Sequence, residues 1–170
     1  MFFMVFAGVL LGLFAIELLA PVQVWVIQPF TAAIANISAM LLQWFDSSVQ
    51  AQGIVLWDQD TGAAVSIQPG CNGVEAMIVV FAAMIATPSQ WRYRWIGIGL
   101  AFIAIQILNL IRIISLFYLL QLDADWFRWA HLYLWQALIM LDALIVYLLW
   151  LRALPAVTTT AGQGSSVEPR

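Results

Sequence analysis

The sequence predicts an all-α polytopic membrane protein: about four transmembrane helices, an interfacial amphipathic helix and a small extracytoplasmic β-hairpin. Three observations carry that expectation. Of 170 residues, 64% are hydrophobic and only 9% charged, where a soluble domain carries roughly a quarter charged residues. The apolar residues fall in long runs, and one crossing takes ~20 of them in succession. Polar residues gather instead between Asp46 and Gly70 and after Pro155.

The first run, Phe2 to Leu19, has no basic stretch before it and no small-residue cleavage site before Pro21. It reads as an uncleaved span rather than a signal peptide. From Pro29 to Phe45 the pattern changes. Ile34, Ile37, Leu41 and Trp44 recur at helical spacing while Thr31, Asn36, Ser38 and Gln43 interrupt. This is the pattern of an amphipathic helix lying in the interface, with a full crossing as the alternative. Gly53–Trp57 and Ala64–Gln68 are short β-prone runs around Asp58-Gln-Asp-Thr-Gly62, which suggests a hairpin.

Three further spans follow, at about Gly73–Ala86, Trp95–Leu120 and Ala130–Leu151, with Pro88 closing the first of them. Residues 1–154 thus form one membrane-embedded domain. Pro155 to Arg170 is a Thr/Ser/Gly/Pro tail of disordered composition. Arg92 and Arg94, in an expected short loop Trp91–Trp95, and Arg152 at the end of the last span mark the cytoplasmic side by the positive-inside rule. The Asp46–Gly70 and Leu122–Trp129 segments then face outward, with Arg128 between Trp126 and Trp129 at the outer interface.

Composition also limits function. All six basic residues are Arg and the net charge is −3, against the basic face that nucleic acid demands. One cysteine, Cys71, excludes an intrachain disulfide. One histidine, His131, excludes a bis-histidine haem and most all-protein zinc sites. No cofactor or metal is expected.

Depth places the reactive residues. Arg94 to Arg112 is ~27 Å of helix and His131 to Arg152 ~31 Å, against a hydrocarbon core of ~30 Å. Arg112 and His131 therefore lie at the outer surface, where Cys71 stands at the entry of its span. A nucleophile, a general acid/base and a fixed cation share one level. Each has a structural explanation when taken singly. A lone Cys is usually a small hydrophobe, an interfacial His a polar anchor, and an Arg near a span end snorkels. Yet Cys71 follows the Pro69-Gly70 turn at a helix start, which favours a thiolate, and Arg112 lies between Leu110-Ile111 and Ile113-Ile114.

Three supporting residues stand nearby. Asn72 and Glu75 have capping-box spacing, with pairing of Glu75 to Arg112 or Arg128 as the sharper option. Asn109 is one turn from Arg112 and placed to brace it. Gln106 and Asp142 fall at similar depth, positioned for an interhelical hydrogen bond. Glu17 sits near the end of the first span.

Cys71 in Pro69-Gly-Cys-Asn-Gly-Val-Glu-Ala76, Arg112 in Asn109-Leu-Ile-Arg112 and His131 in Trp129-Ala-His-Leu-Tyr133 resemble the Cys, Arg and His of the exosortase/archaeosortase family. The short length and the run Asn109-Leu-Ile-Arg-Ile-Ile-Ser-Leu-Phe-Tyr118 are most similar to the exosortase H branch. Many exosortases carry Cys-Ser-Gly; Cys71-Asn72-Gly73 departs from this in a way that fits that branch. The resemblance implies a bacterial inner-membrane cysteine peptidase or transpeptidase facing the periplasm. Its partners would be exported proteins ending in a motif of the Ile-Pro-Thr-Leu type, a transmembrane helix and a basic cluster, together with an envelope acceptor. Cys71 would attack, Arg112 would stabilise the oxyanion and His131 would move the proton. An extended substrate motif could pair with the edge of the expected hairpin. A non-catalytic subunit of an envelope assembly complex is the alternative, distinguished by tolerance of Cys71→Ala. A small transporter, third, would need more midplane polar residues than Gln106 and Asp142.

Overall fold

The computed structural model describes residues 1–155; the C-terminal tail expected beyond Pro155 lies outside the described residues. Among the described residues, five helices and one small sheet make up the fold: α1 (Phe2–Glu17), α2 (Ala20–Leu42), β1 (Val49–Gln52), β2 (Val55–Asp58), β3 (Ala64–Ser66), α3 (Val74–Ala86), α4 (Trp91–Leu122) and α5 (Ala124–Ala153). Several polar side chains are buried and many large apolar ones are exposed. Arg112, Asn72, Asn109, Ser38 and Glu17 are buried, while Leu11, Trp25, Leu100, Met140 and Leu149 are at least half exposed. Polar side chains inside and apolar ones outside suit lipid as the solvent.

Three helices, α2, α4 and α5, are long and apolar enough to cross a membrane, whereas α1 and α3 have 16 and 13 residues. At 1.5 Å per residue α3 is only ~20 Å long, short of a ~30 Å core. The expected four spans are corrected accordingly. The interfacial helix expected from Pro29 instead starts at Ala20 and has 23 residues. Pro21 fits because it sits in the first turn, where its missing N–H costs nothing. Pro29 fits because a wide π-type turn, Gln23–Ile27, leads into it. The polar residues that looked like an aqueous face turn inward: Thr31 and Ser38 are buried beside Ala35 and Ala39. Small residues on one stripe let α4 approach closely.

Two expected loops are helical. Trp91 opens α4, so the connection from α3 is confined to Thr87–Gln90. Asp123 alone separates α4 from α5, its carboxylate accepting from the N–H groups of Asp125 and Trp126 at 2.7 and 3.1 Å. That cap restarts a helix within one residue.

The expected hairpin is a three-stranded antiparallel sheet in the order β1-β2-β3. Sequence reading missed β1 because Val49-Gln-Ala-Gln52 carries little β preference. It is instead held by pairing with β2 and by Gln43, whose Nε2 donates to Val49 O at 2.8 Å. The sheet's inner face packs Val49, Leu56 and Ile67 onto Ile34, Leu42, Ile113 and Phe117 of α2 and α4. A second cluster joins α3, α4 and α5 through Val80, Met84, Ile105, Ala143 and Trp150. Trp150 packs against Gly97, where any Cβ would stand 2.1 Å from its indole nitrogen, and donates to Tyr93 O at 3.1 Å.

Candidate active site

The turn before α3 is built around two glycines with positive φ, Gly70 (86°) and Gly73 (78°). Both take the left-handed region that side chains disfavour. Gly73 is doubly constrained, since a Cβ there would meet Gln106 Nε2 at 2.8 Å. Between them, Asn72 is fully buried. Its Nδ2 donates to Thr31 Oγ1 at 3.0 Å, its Oδ1 accepts from Val74 N–H at 3.1 Å, and its carbonyl accepts from Gln106 Nε2 at 3.3 Å. One residue thus ties the turn to α2, α3 and α4, and these bonds fix the position of Cys71.

Arg112 reaches the same turn from α4. Only 2% exposed, its guanidinium donates from Nη1 to Gly70 O at 3.1 Å and from Nη2 to Cys71 Sγ at 3.5 Å. Burial pushes the Cys71 thiol up, Arg112 pulls it down and Glu75 adds to the rise; the net direction is upward. A thiol held in this way would need a base to act as a nucleophile.

His131 comes from α5, inside a π-type segment, Ala130–Leu134. Such wide turns recur at functional sites because they re-aim a side chain. The imidazole stacks on Phe127, centroids 5.7 Å apart and rings parallel within 1°, and its Nδ1 is buried without a partner. Cys71, Arg112 and His131 line one cavity of about 270 Å³, with Ala64–Gln68, Ile113, Leu116, Leu120 and Phe127. No hydrogen bond joins His131 to Cys71 among the described residues; the cavity lies open between a thiol, a guanidinium and an imidazole.

The supporting residues are corrected in part. Asn72 holds the turn, but the N-cap of α3 is Gly73 and the reciprocal Glu75 bond of a capping box is not formed. Glu75 faces a different, apolar groove lined by Phe14, Gln136 and Tyr147. It pairs with neither Arg112 nor Arg128; Arg128 pairs with Asp125 on the exposed surface. Asn109 is buried with both amide atoms unpartnered, so it does not brace Arg112 by hydrogen bonding. Gln106 bonds Asn72 O rather than Asp142, its amide lying directly against the turn at Gly73. Sequence reading missed Thr31, taken as an interruption in a surface helix, and Gln121, whose Nε2 donates to Asp58 Oδ2 at 3.2 Å and moors the sheet to α4.

These features define a multi-pass membrane protein with one cysteine–arginine–histidine cavity at the end of its helices. The family model for transmembrane exosortases matches residues 1–149, and the chain belongs to that family. No curated protein matches it, and no solved structure does.

Proposed function

We propose that the chain is a membrane cysteine peptidase or transpeptidase that cleaves C-terminal sorting tails of exported proteins at the periplasmic face of the bacterial inner membrane. The observation that carries this reading is the shared cavity of Cys71, Arg112 and His131. Substrate binding places the scissile carbonyl beside Cys71. His131 takes the thiol proton as sulfur attacks, giving a tetrahedral adduct whose oxyanion replaces the thiol as partner of Arg112. His131 returns the proton to the leaving amine as the C–N bond breaks, leaving a thioester on Cys71. An envelope amine or water resolves it. The Ile-Pro-Thr-Leu type of motif is what the resemblance of the short chain and its Asn109–Tyr118 run to the H branch implies.

A tagged tail substrate followed in cells at matched membrane levels tests the assignment. Cys71→Ala abolishes release, and Cys71→Ser nearly does, since a hydroxyl is a far weaker nucleophile without strong base activation. Wild-type release by Cys71→Ala returns the chain to the scaffold reading. The orientation has its own check. A reporter fused at Ser89 reads cytoplasmic and one at Gln59 exported; the reverse pattern puts the cavity on the wrong side.

A further inference from the structure

The two edges of the sheet are treated differently. β1 lies under the end of α2, where Gln43 bonds it. β3 borders the cavity. Register decides which of its peptide groups are free. Val55, Leu56 and Trp57 oppose Ser66, Val65 and Ala64, and the ladder is flanked by Asp58 N–H to Ala63 O and Ile67 N–H to Ile54 O, both 2.9 Å. Opposed antiparallel residues alternate between bonded and non-bonded pairs. Ala63, Val65 and Ile67 therefore turn their peptide groups toward β2, while Ala64 and Ser66 turn theirs outward. No other backbone bond reaches Ala64 or Ser66 among the described residues. The next outward residue, Gln68, gives its carbonyl to Cys71 N–H at 2.9 Å. The free edge thus runs straight into the cysteine turn. All five residues from Ala64 to Gln68 line the cavity. Successive strand residues point to opposite faces, so the cavity looks onto the edge of the strand and not onto one face.

We propose that the outer edge of β3 is the substrate-docking rail: the extended segment carrying the scissile peptide adds as a fourth strand, pairing with the peptide groups of Ala64 and Ser66 and bringing its carbonyl to Cys71. This rests on the peptidase reading above. Main-chain pairing supplies affinity whatever the side chains, and pockets reading alternate residues supply selectivity. Here those pockets are apolar, formed by Ile113, Leu116, Leu120 and Phe127. Ala64 and Ser66 are exposed, and pairing satisfies the peptide groups that an incoming strand covers, where unmade bonds are costly.

Ser66→Pro tests the rail, because it deletes the outward N–H while Val65 keeps its bonds to Leu56, and proline is tolerated on an edge. Tail cleavage falls about 10-fold or more, mainly through KM, as expected for the loss of a bond worth ~1.4 kcal/mol. Alkylation of Cys71 by a small maleimide proceeds at the wild-type rate, showing an intact turn. Ser66→Ala removes only the hydroxyl that accepts from Gln68 Nε2 and keeps the outward N–H, so it cleaves faster than Ser66→Pro; an equal loss in the two variants overturns the rail. Should Ser66→Pro fail to insert, the wild-type protein in proteoliposomes is given synthetic tails with backbone amides replaced one at a time by esters. Losses recurring every second residue support the rail. Wild-type cleavage by Ser66→Pro, or an ester scan without that period, overturns it. Cys71→Ala, run alongside, separates the two ideas: if it still cleaves, the peptidase reading fails and the rail with it, whereas a dead variant with a flat ester scan sinks the rail alone.

Discussion

Arg94 and Arg112 stand on one helix, and their separation of 18 positions is five turns at ~3.6 residues each, so both leave the same face of α4. Each reaches a loop at one end of α3. Arg94 holds the loop after it, donating to Thr87 O at 3.1 Å, Ser89 O at 3.4 Å and Ser89 Oγ at 3.3 Å. Arg112 holds the loop before it through Gly70 O, but its other contact is the Cys71 thiol, and its Nε has no partner. The geometry of stapling is the same; the acceptors differ. Every partner of Arg94 is an oxygen. Arg112 faces a sulfur, a weak acceptor that an oxyanion would displace. The first arginine is complete as it stands, and in the proposed mechanism the second is completed when charge develops in the cavity.

The largest expected effect separates the two. Arg112→Lys keeps the charge and loses the planar fork that directs two bonds. Loss of one oxyanion donor typically costs roughly 3 kcal/mol, or ~100-fold or more in rate. Arg94→Lys loses only loop bonds worth about 1 kcal/mol each, and its cleavage rate stays close to wild type. Rates measured at matched membrane levels decide the point, and equal losses in the two variants would break the comparison. The thiol sharpens it. Because Arg112 pulls the Cys71 thiol down against burial, Arg112→Met slows alkylation of Cys71 at fixed pH, whereas Arg94→Met leaves it unchanged.

A smaller effect comes from the turn that Arg112 holds. Asn72→Ala removes the bond to Thr31 Oγ1 and the cap on Val74 N–H. Each lost buried bond costs about 1–3 kcal/mol when its partner is left unpaired, so cleavage falls on the order of tenfold and the protein loses heat stability. Asn72→Ser restores the cap but is too short for Thr31, and it recovers part of both. If serine is no better than alanine, the tie to α2 carries the whole role and the cap none.

How much of this was legible in the sequence follows from range. Cys71, Arg112 and His131 could be brought to one level because helical rise is fixed and each run had a countable anchor. Their convergence on one cavity needed only that level and three packed segments. Local signals failed where packing over long range decides. Thr31 and Ser38 looked like a wet face because a polar residue in an apolar helix points to water or to a partner, and sequence cannot show that Asn72, 41 residues away, is the partner of Thr31 or that Ser38 is buried with its hydroxyl unpartnered. Gln106 and Asp142 were matched by depth alone, but depth says nothing of azimuth, and Gln106 turns to the cysteine turn. β1 was invisible because its residues are strand-like only beside β2.

The smallest expected effect concerns what keeps β3 in place. Asp58 anchors the sheet. Its carboxylate accepts from Ser48 Oγ at 2.7 Å, Thr61 Oγ1 at 2.7 Å, Asp60 N–H at 2.8 Å and Gln121 Nε2 at 3.2 Å. The hydrogen bonds from Ser48 and Thr61 lead in lowering its pKa to about 2. An unfolded aspartate titrates near ~3.9. Because the folded value is the lower one, the stabilisation is complete above about pH 4 and is lost as pH falls toward 2. Hydrogen exchange of the Leu56 and Val65 amides, corrected for intrinsic rate, reads it directly. Protection holds from neutral pH to about pH 4 and then declines, while amides in α4 beside Arg94 show no such step. Asp58→Asn removes the step and lowers protection at pH 7, because an amide turns an N–H toward a group that must itself donate. Cleavage falls only a few-fold, through a looser β3 beside the cavity. Unchanged wild-type protection down to pH 2, or full protection in Asp58→Asn at pH 7, would show that the sheet is held by its apolar underside and not by the carboxylate.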